Sequence, residues 1–383
     1  MTVQQGATIA ADAKANGNGG RVAVLSDLAA GTTQMDGAIS ARGGPQGGDG
    51  GWVETSGFAL GMGSSAAIDV GAQASSGRPG SWLLDPFDIA ITTSDKNTTP
   101  DSGGTFTASG DPATIAASTL ESVLDSGDVI VSTSGSGSAS GDIRVLSPIT
   151  WSSRNSLTLS ADNDIATKAA ITGNSGSFFL SAGNTTSRGS IVIRAPISAG
   201  AVTLVSGSDG SISERGEGAI NTSGLLTTRS ATGTTLNGKN TAASFTAVNS
   251  TAGNISLTNA GSLTVFGVSN SSGDRVRIKN TGDLTIAGSL DAGSGKASLM
   301  AIGGLLTIGA PVSGGNVALR TDNLSINGSV SAPGGTVAIA PVTTSRGMSL
   351  DTVRDAMTLS LLQSESCDGG QGFLFARPAP PGE

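Results

Sequence analysis

Residues 47–91, GGDGGWVETSGFALGMGSSAAIDVGAQASSGRPGSWLLDPFDIAI, decide how the rest of the chain is read. The apolar runs are very short: Trp52-Val53, Phe58 to Met62, Ile68 to Val70 and Trp82 to Leu84. Gly, Ser, Asp and Pro separate them, the punctuation of short strands joined by tight corners. No run has the length or the 3.6-residue rhythm of an ordinary helix. The stretch predicts one or two turns of a β-solenoid followed by a fixed exit.

Composition extends that reading to the whole chain. Gly makes up 58 of 383 residues, and charged residues are 13% against about 25% in typical domains. Small side chains suit tight corners, while Val, Ile and Leu recur at regular positions, which a disordered chain lacks. The net charge of −8 speaks against a nucleic-acid partner, which requires a basic face. Histidine and tyrosine are absent, removing the commonest general base and the commonest transition-metal ligand. Cys367 is the single cysteine, so neither an internal disulfide nor a zinc cluster is expected. No apolar run reaches the ~18 residues of a membrane helix. The opening MTVQQGATIAADAKANGNGG lacks the basic start and apolar core of a signal peptide.

Upstream of the deciding stretch, residues 2–44 already alternate in the same manner, with Val22, Val24 and Ile39 expected to point inward. The array therefore starts in mid-repeat. An uncapped solenoid end exposes strand edges, so the expectation is a fragment or a mis-called start. After Ile91 the period breaks, and a helical insertion is predicted around 112–127. Ser118 and Glu121 form a capping-box pattern, Leu120, Val123 and Leu124 share a face, and Gly127 stands at the stop. That helix reads as a lid on an open face. Val129–Val131 and Ile143–Val145 read as strands bracketing the loop STSGSGSASG.

From Trp151 the repeats can be counted. NAGSLTV, NTGDLTI, IGGLLTI and TDNLSI place Leu263, Leu284, Leu306 and Leu324 at steps of 21, 22 and 18. A second row is NISL, RVRI, ASLM, NVAL and TVAI; a third is GSL, APV and GSV. Two or three short strands per roughly 20-residue turn predict an all-β fold, a parallel β-helix, right-handed by the crossover rule. In LTI and LSI the outer letters should face inward and the Thr or Ser outward. Some 15 coils at ~4.8 Å would make a rod of about 70 Å. The organisation is thus coils over 1–91, an interrupting strand-helix-strand segment over 92–150, regular repeats over 151–344, and a non-repeat tail over 345–383. The tail offers a helix over Thr352 to Leu362.

Candidate chemistry is sparse. Asp85 and Asp88 flank Pro86, but a glycosidase pair also needs a sugar groove, and turn chemistry explains both acids. GGDGG at 47–51 resembles one unit of a calcium-binding repeat, yet it is not tandem; Asp162 and Asp164 in ADNDIA are read in the same way. Serines abound without a histidine to activate one. Trp52, Trp82 and Trp151 are read as core or corner anchors, and Phe178-Phe179 as one ring in and one out. No catalytic, cofactor-binding or metal site is assigned, no cofactor is expected, and the chain is read as a non-enzyme.

DGGWVETSG (49–57), a spacer of small residues, then GSWLLDPFDIAI (80–91) resembles a segment of filamentous-hemagglutinin-like exoproteins of two-partner secretion. That group includes adhesins and heme- or hemopexin-utilisation proteins. RVAVLSD (21–27) precedes the segment as in the family, with Leu25 where a Trp is usual. ASTLESVLDSG, a strand, a Ser-Gly loop and PITW follow in the family's order. The resemblance covers 2 to about 350 and is strongest from 20 to 172. It implies the shaft of a secreted, cell-surface bacterial adhesin, with an outer-membrane transporter and a host glycan or protein receptor as partners. Two other readings stand beside it. A carbohydrate-active β-helix enzyme would show clustered acids with Lys or Arg on one stacked face, and the sequence shows no such cluster. A heme or hemopexin binder would have only Met or Cys to ligate iron.

Overall fold

The computed structural model describes residues 1–63, 65–93, 113–133, 141–184 and 188–345. It is a parallel β-solenoid, each strand pairing with the strand one turn further along. One column of inward residues runs Val22, Val53, Trp82, Val129, Leu157, Phe178, Val202, Leu226 and Phe245, each in register with the next. It continues from Phe245 through Val265, Ile286, Ile308 and Ile326. A second column stacks Ile143, Ile165, Ile191, Ile212, Thr234, Ile255, Val276, Ala297, Val317 and Val337. Apart from the last rung, these side chains are buried. The apolar stack buried in this way supplies the main driving force for the fold.

The three repeat rows fall where the spacing placed them. Leu263, Leu284, Leu306 and Leu324 are in register. In the LTI segment Leu284 and Ile286 are fully buried, while Thr285 faces out and is half-exposed. The turn length is less uniform than expected. Val22, Val53 and Trp82 are 31 and 29 residues apart, whereas from Leu157 to Phe245 the steps are 19 to 24 residues. The longest column therefore holds thirteen rungs, about 58 Å at ~4.8 Å per step, rather than some 15 coils. The long early turns spend their extra residues in glycine corners that stack on one another. Gly17 N–H donates to the Gly47 carbonyl, and Gly50 N–H to that of Arg78, both at 2.8 Å. A Cβ at Gly51 or Gly80 would strike the backbone carbonyl of the coil before it, at Gly20 or Gly51 respectively, so only glycine fits these contacts.

The interruption is a strand followed by a helix, not a helical insertion over all of 112–127. The strand Ala113–Ala116 lies between Ala59–Met62 and Ile89–Thr92: Thr114 pairs with Gly61 and Ile115 with Ile91. Helix α1 (Ala117–Leu124) follows directly. It is not a lid. The three-stranded column Thr8–Ala10, Ala38–Ser40 and Ala67–Asp69 ends at its third strand. Helix α1 packs against that strand and against Ile149–Trp151, which begins the ladder that continues through Ile171. It therefore occupies one coil's place in the stack, burying Leu120, Val123 and Leu124.

The capping box does not form. The N-cap is Ala116, without a side-chain cap, because the incoming strand brings Ser118 inside the first turn. Glu121 instead accepts the Thr150 N–H at 2.7 Å, satisfying a strand donor that has a helix rather than a strand beside it. At the other end the Leu124 carbonyl accepts Asn155 Nδ2–H at 2.6 Å, and Gly127 N–H donates to the Val123 carbonyl at 2.7 Å. Most of the predicted Ser-Gly loop (134–140), the helix over 352–362 and Cys367 lie outside the described residues.

Further along, buried asparagines line the corners. Asn249 Nδ2–H donates to Asn270 Oδ1 at 2.9 Å, and Asn259 Nδ2–H to Asn280 Oδ1 at 3.0 Å. Each amide also reaches corner carbonyls, as Asn280 does to Gly261 and Asp283. Buried amides of this kind are stable only when their partners are in place.

Candidate functional site

The residues singled out in the sequence have structural duties. Asp88 is buried and accepts the Asp142 N–H at 2.6 Å, tying two rungs together. Asp85 ends the strand Ser81–Asp85, half-buried. Asp49 accepts the Arg78 N–H and donates its own N–H to Asn18 Oδ1, both at 2.8 Å, so the GGDGG acid belongs to a corner ladder. Asp164 accepts the Ser190 N–H at 2.7 Å, and Asp162 is buried. Among the described residues, no three of His, Cys, Asp and Glu gather as a metal-ligand set.

Two tryptophans are core anchors as expected. Trp82 is fully buried, with Nε1–H donating to Thr55 Oγ1 at 3.1 Å. Trp151 donates to the Asn155 carbonyl at 2.9 Å, and its ring lies so close to Gly173 that no Cβ would fit there. Trp52 is not a core anchor; it stands where the 47–51 corner enters the strand Trp52–Ser56. It alternates with the inward Val53, faces outward, and carries the Arg21 guanidinium 3.7 Å above its ring, a cation–π contact. Phe178 points in and Phe179 out.

The face that stands out was not assigned from the sequence. Ile165, Ile191 and Ile212 stack inward, and three residues after each comes a cation: Lys168, Arg194 and Arg215. The N–H groups of these cations donate to the carbonyls of Val145, Thr167 and Ile193, each at 2.8 Å, so the three occupy consecutive rungs. Two polar rungs follow. Asn237 Oδ1 accepts Ser256 Oγ–H at 2.8 Å and Thr258 Oγ1–H at 3.5 Å. The column then continues Thr258, Lys279, Met300, Arg320 in register. Arg277 stands beside it between Ser256 and Ser298, with Arg275 and Lys296 at the starts of adjacent strands. Eight cations thus lie along about 34 Å of one face, seven steps at ~4.8 Å.

These cations point to solvent. Lys168, Arg194, Arg215 and Arg320 are exposed, Arg277 and Lys279 half-exposed. Among the described residues, the ion pairs are those of Arg42 with Asp12 and Asp69, and of Arg144 with Asp142. None involves the eight. Asp164, Glu217 and Asp274 sit at the ends of the neighbouring strands. Glu214, next to Arg215, turns away: Oε2 accepts the Gly238 N–H at 2.7 Å and Asn240 Nδ2–H at 3.1 Å. Burial pushes its carboxyl up to about 7, against the pull of those two hydrogen bonds. It is therefore largely uncharged below neutrality and offsets little of the stripe.

This face, which was not assigned from the sequence, collects Lys and Arg, and acids are not clustered among them. The signal was present in the tetrapeptides IATK, IVIR, ISER, VRIK and VALR. Each ends in a cation at one register position, which overall net charge conceals. Fold and face together define a parallel β-solenoid with one cationic, hydrogen-bonding side. No family model matches the chain, and no curated protein matches it.

Proposed function

We propose that this chain is the non-catalytic shaft of a secreted, surface-displayed bacterial exoprotein that mediates attachment. The observation that carries the reading is the continuous stack. Thirteen rungs share one buried, mainly apolar core, and the polar side chains singled out for chemistry bond backbone groups across rungs or at corners. Such a rod holds a surface at a distance and repeats the same outward groups at each step. The resemblance of DGGWVETSG and GSWLLDPFDIAI to two-partner exoproteins supports surface display. An outer-membrane transporter and a host-surface receptor are then its partners.

The test has two arms. Beads coated with the chain should adhere to host cells above the level of uncoated beads; adhesion at background would overturn the attachment reading. Incubation with polysaccharides should release no new ends. Turnover that falls to background in an Asp85→Asn, Asp88→Asn double variant would make the protein an enzyme.

A further inference from the structure

We propose that Asn237-Gly238 is a self-modifying site, at which Glu214 acts as the base that converts the asparagine to aspartate or isoaspartate. Such a conversion begins when the main-chain nitrogen after an asparagine attacks the side-chain amide carbon. It is easiest before glycine, which puts no Cβ in the way. The chain has four Asn-Gly pairs, at Asn16, Asn18, Asn237 and Asn327, and all four asparagines are exposed. Exposure therefore does not tell them apart, but the partner of the glycine N–H does. Gly17, Gly19 and Gly328 donate to the main-chain carbonyls of Gly47, Asp49 and Ile308, each at 2.8 Å. Gly238 donates to a carboxylate, Glu214 Oε2, at 2.7 Å. A main-chain carbonyl cannot take that proton, and a carboxylate can.

The surroundings complete the set. The oxygen of the reacting amide, Asn237 Oδ1, accepts Ser256 Oγ–H at 2.8 Å and Thr258 Oγ1–H at 3.5 Å. Donors at that place stabilise the negative charge that develops on the oxygen during attack. The strand is also irregular here. Leu236 pairs with Leu257 and Asn240 with Asn259, so residues 237–239 stand against Thr258 alone. Such a bulge disrupts the ladder and leaves the backbone room to bring nitrogen and amide carbon together. Glu214 is itself made basic. Its Oε1 is buried without a hydrogen-bond partner, and burial raises the carboxyl to about 7, where a general base works best at neutral pH. The charged groups on the elements around it are Arg215 and Glu217 on its own coil, Arg194 on the coil before and Lys239 on the coil after. All four are exposed, and burial rather than any of them sets that value.

The reaction balances with water as the only co-reactant. The Gly238 N–H proton passes to Glu214 Oε2 as the nitrogen bonds to Asn237 Cγ. The Cγ–Nδ2 bond then breaks, and the released nitrogen takes a proton from solvent and leaves as ammonia. Water opens the cyclic imide at either carbonyl, leaving aspartate or isoaspartate, and Glu214 returns its proton to solvent. No partner is needed, so this chemistry holds or fails apart from the attachment reading.

The experiment ages the folded full chain at neutral pH. Trypsin then releases residues 230–239, cut after Arg229 and Lys239, with Asn237 as their single asparagine. Mass spectrometry measures amide, imide and acid there and at the other three pairs. Asn237 should convert faster than Asn16, Asn18 and Asn327 in the folded chain, and at their rate in urea. Glu214→Gln keeps an acceptor for the Gly238 N–H but cannot take its proton. It should slow conversion at Asn237 by about a hundredfold, the lower end of what a positioned base contributes, and leave the other three unchanged. Ser256→Ala should slow it less, since water replaces a donor at an exposed amide. The wild-type pH profile is a second reading that needs no variant. At Asn237 the rate should rise as Glu214 ionises near pH 7 and then flatten, while at the other pairs it follows hydroxide. Conversion at Asn237 no faster than at the other three would overturn the proposal. So would an unchanged rate in Glu214→Gln, or a profile at Asn237 that follows hydroxide throughout.

Discussion

Leu284 is the place to test the stack. It lies in register between Leu263 and Leu306 and is fully buried. Leu284→Ala removes three carbons, and at roughly 0.8 kcal/mol per buried methylene the transfer part alone is about 2.4 kcal/mol. The rungs on either side are held at their spacing by the ladder hydrogen bonds, so the space cannot close. The residual cavity brings the cost to about 3–5 kcal/mol. Two substitutions nearby set the scale. Leu324 belongs to the same column but is half-exposed, so Leu324→Ala should cost only about 1 kcal/mol. Thr285 faces out between Thr264 and Thr307, and Thr285→Val should stay within about 0.5 kcal/mol. Urea unfolding gives the three values, and hydrogen exchange locates the damage. Since coils contact mainly their neighbours, exchange should rise over residues 263–310 and stay slow near Trp82. Equal costs for Leu284→Ala and Thr285→Val would refute the inward and outward assignment, and uniform exchange along the chain would refute the nearest-neighbour stack.

Glu214 ties stability to pH. Its carboxyl is raised from 4.5 to about 7 in the folded state, so between those values the folded chain holds a proton that the unfolded chain has released. Stability contributed by this group is complete below pH 4.5 and is lost as pH rises towards 7; thermal melts should show that slope, and Glu214→Gln should flatten it. Asn280→Ala strands the Gly261 and Asp283 carbonyls and removes the partner of Asn259. It should cost about 1–3 kcal/mol in urea unfolding, and an unaffected midpoint would mean that the corner amides are not structural. Asn155→Ala should cost about 1 kcal/mol, because Ser153 still donates to the Leu124 carbonyl. Removing both donors should cost more than the sum of the single changes; simple additivity would show that the two do not share that carbonyl.

How far the sequence speaks for itself varies along the chain. The Leu263 row and its two companions could be counted because a stacked β-coil forces the same apolar residue back to the same azimuth every turn. The length of the early turns could not, since glycine corners such as 47–51 carry no periodic side chain. The helix at Leu120 was legible from its apolar face, but its place in the stack was not. That place depends on the contacts with Ala67–Asp69 and Ile149–Trp151, about fifty and thirty residues away. Whether Trp52 lay in the core or at a corner was left open, because a Trp beside a Val in a strand does not say which of the two points inward. The cationic file escaped notice for a different reason: the fourth letter of each tetrapeptide gains meaning only once the rungs are aligned.

The strand Ala113–Ala116 has a consequence for the order of assembly. A chain that emerges from its N-terminal end can lay each new coil directly on the last. Here Ile89–Thr92 is made before Ala113–Ala116 yet rests upon it. Growth must therefore halt at residue 92 with an unfilled slot above Ala59–Met62, until some twenty more residues have arrived and the late strand is threaded into the gap. Helix α1, which follows that strand without a break, then closes behind it. The coils before this point and those after it are thus separated by a checkpoint in time, and translation or export that stalls near residue 100 would leave the coils already laid down as a stub that cannot be extended.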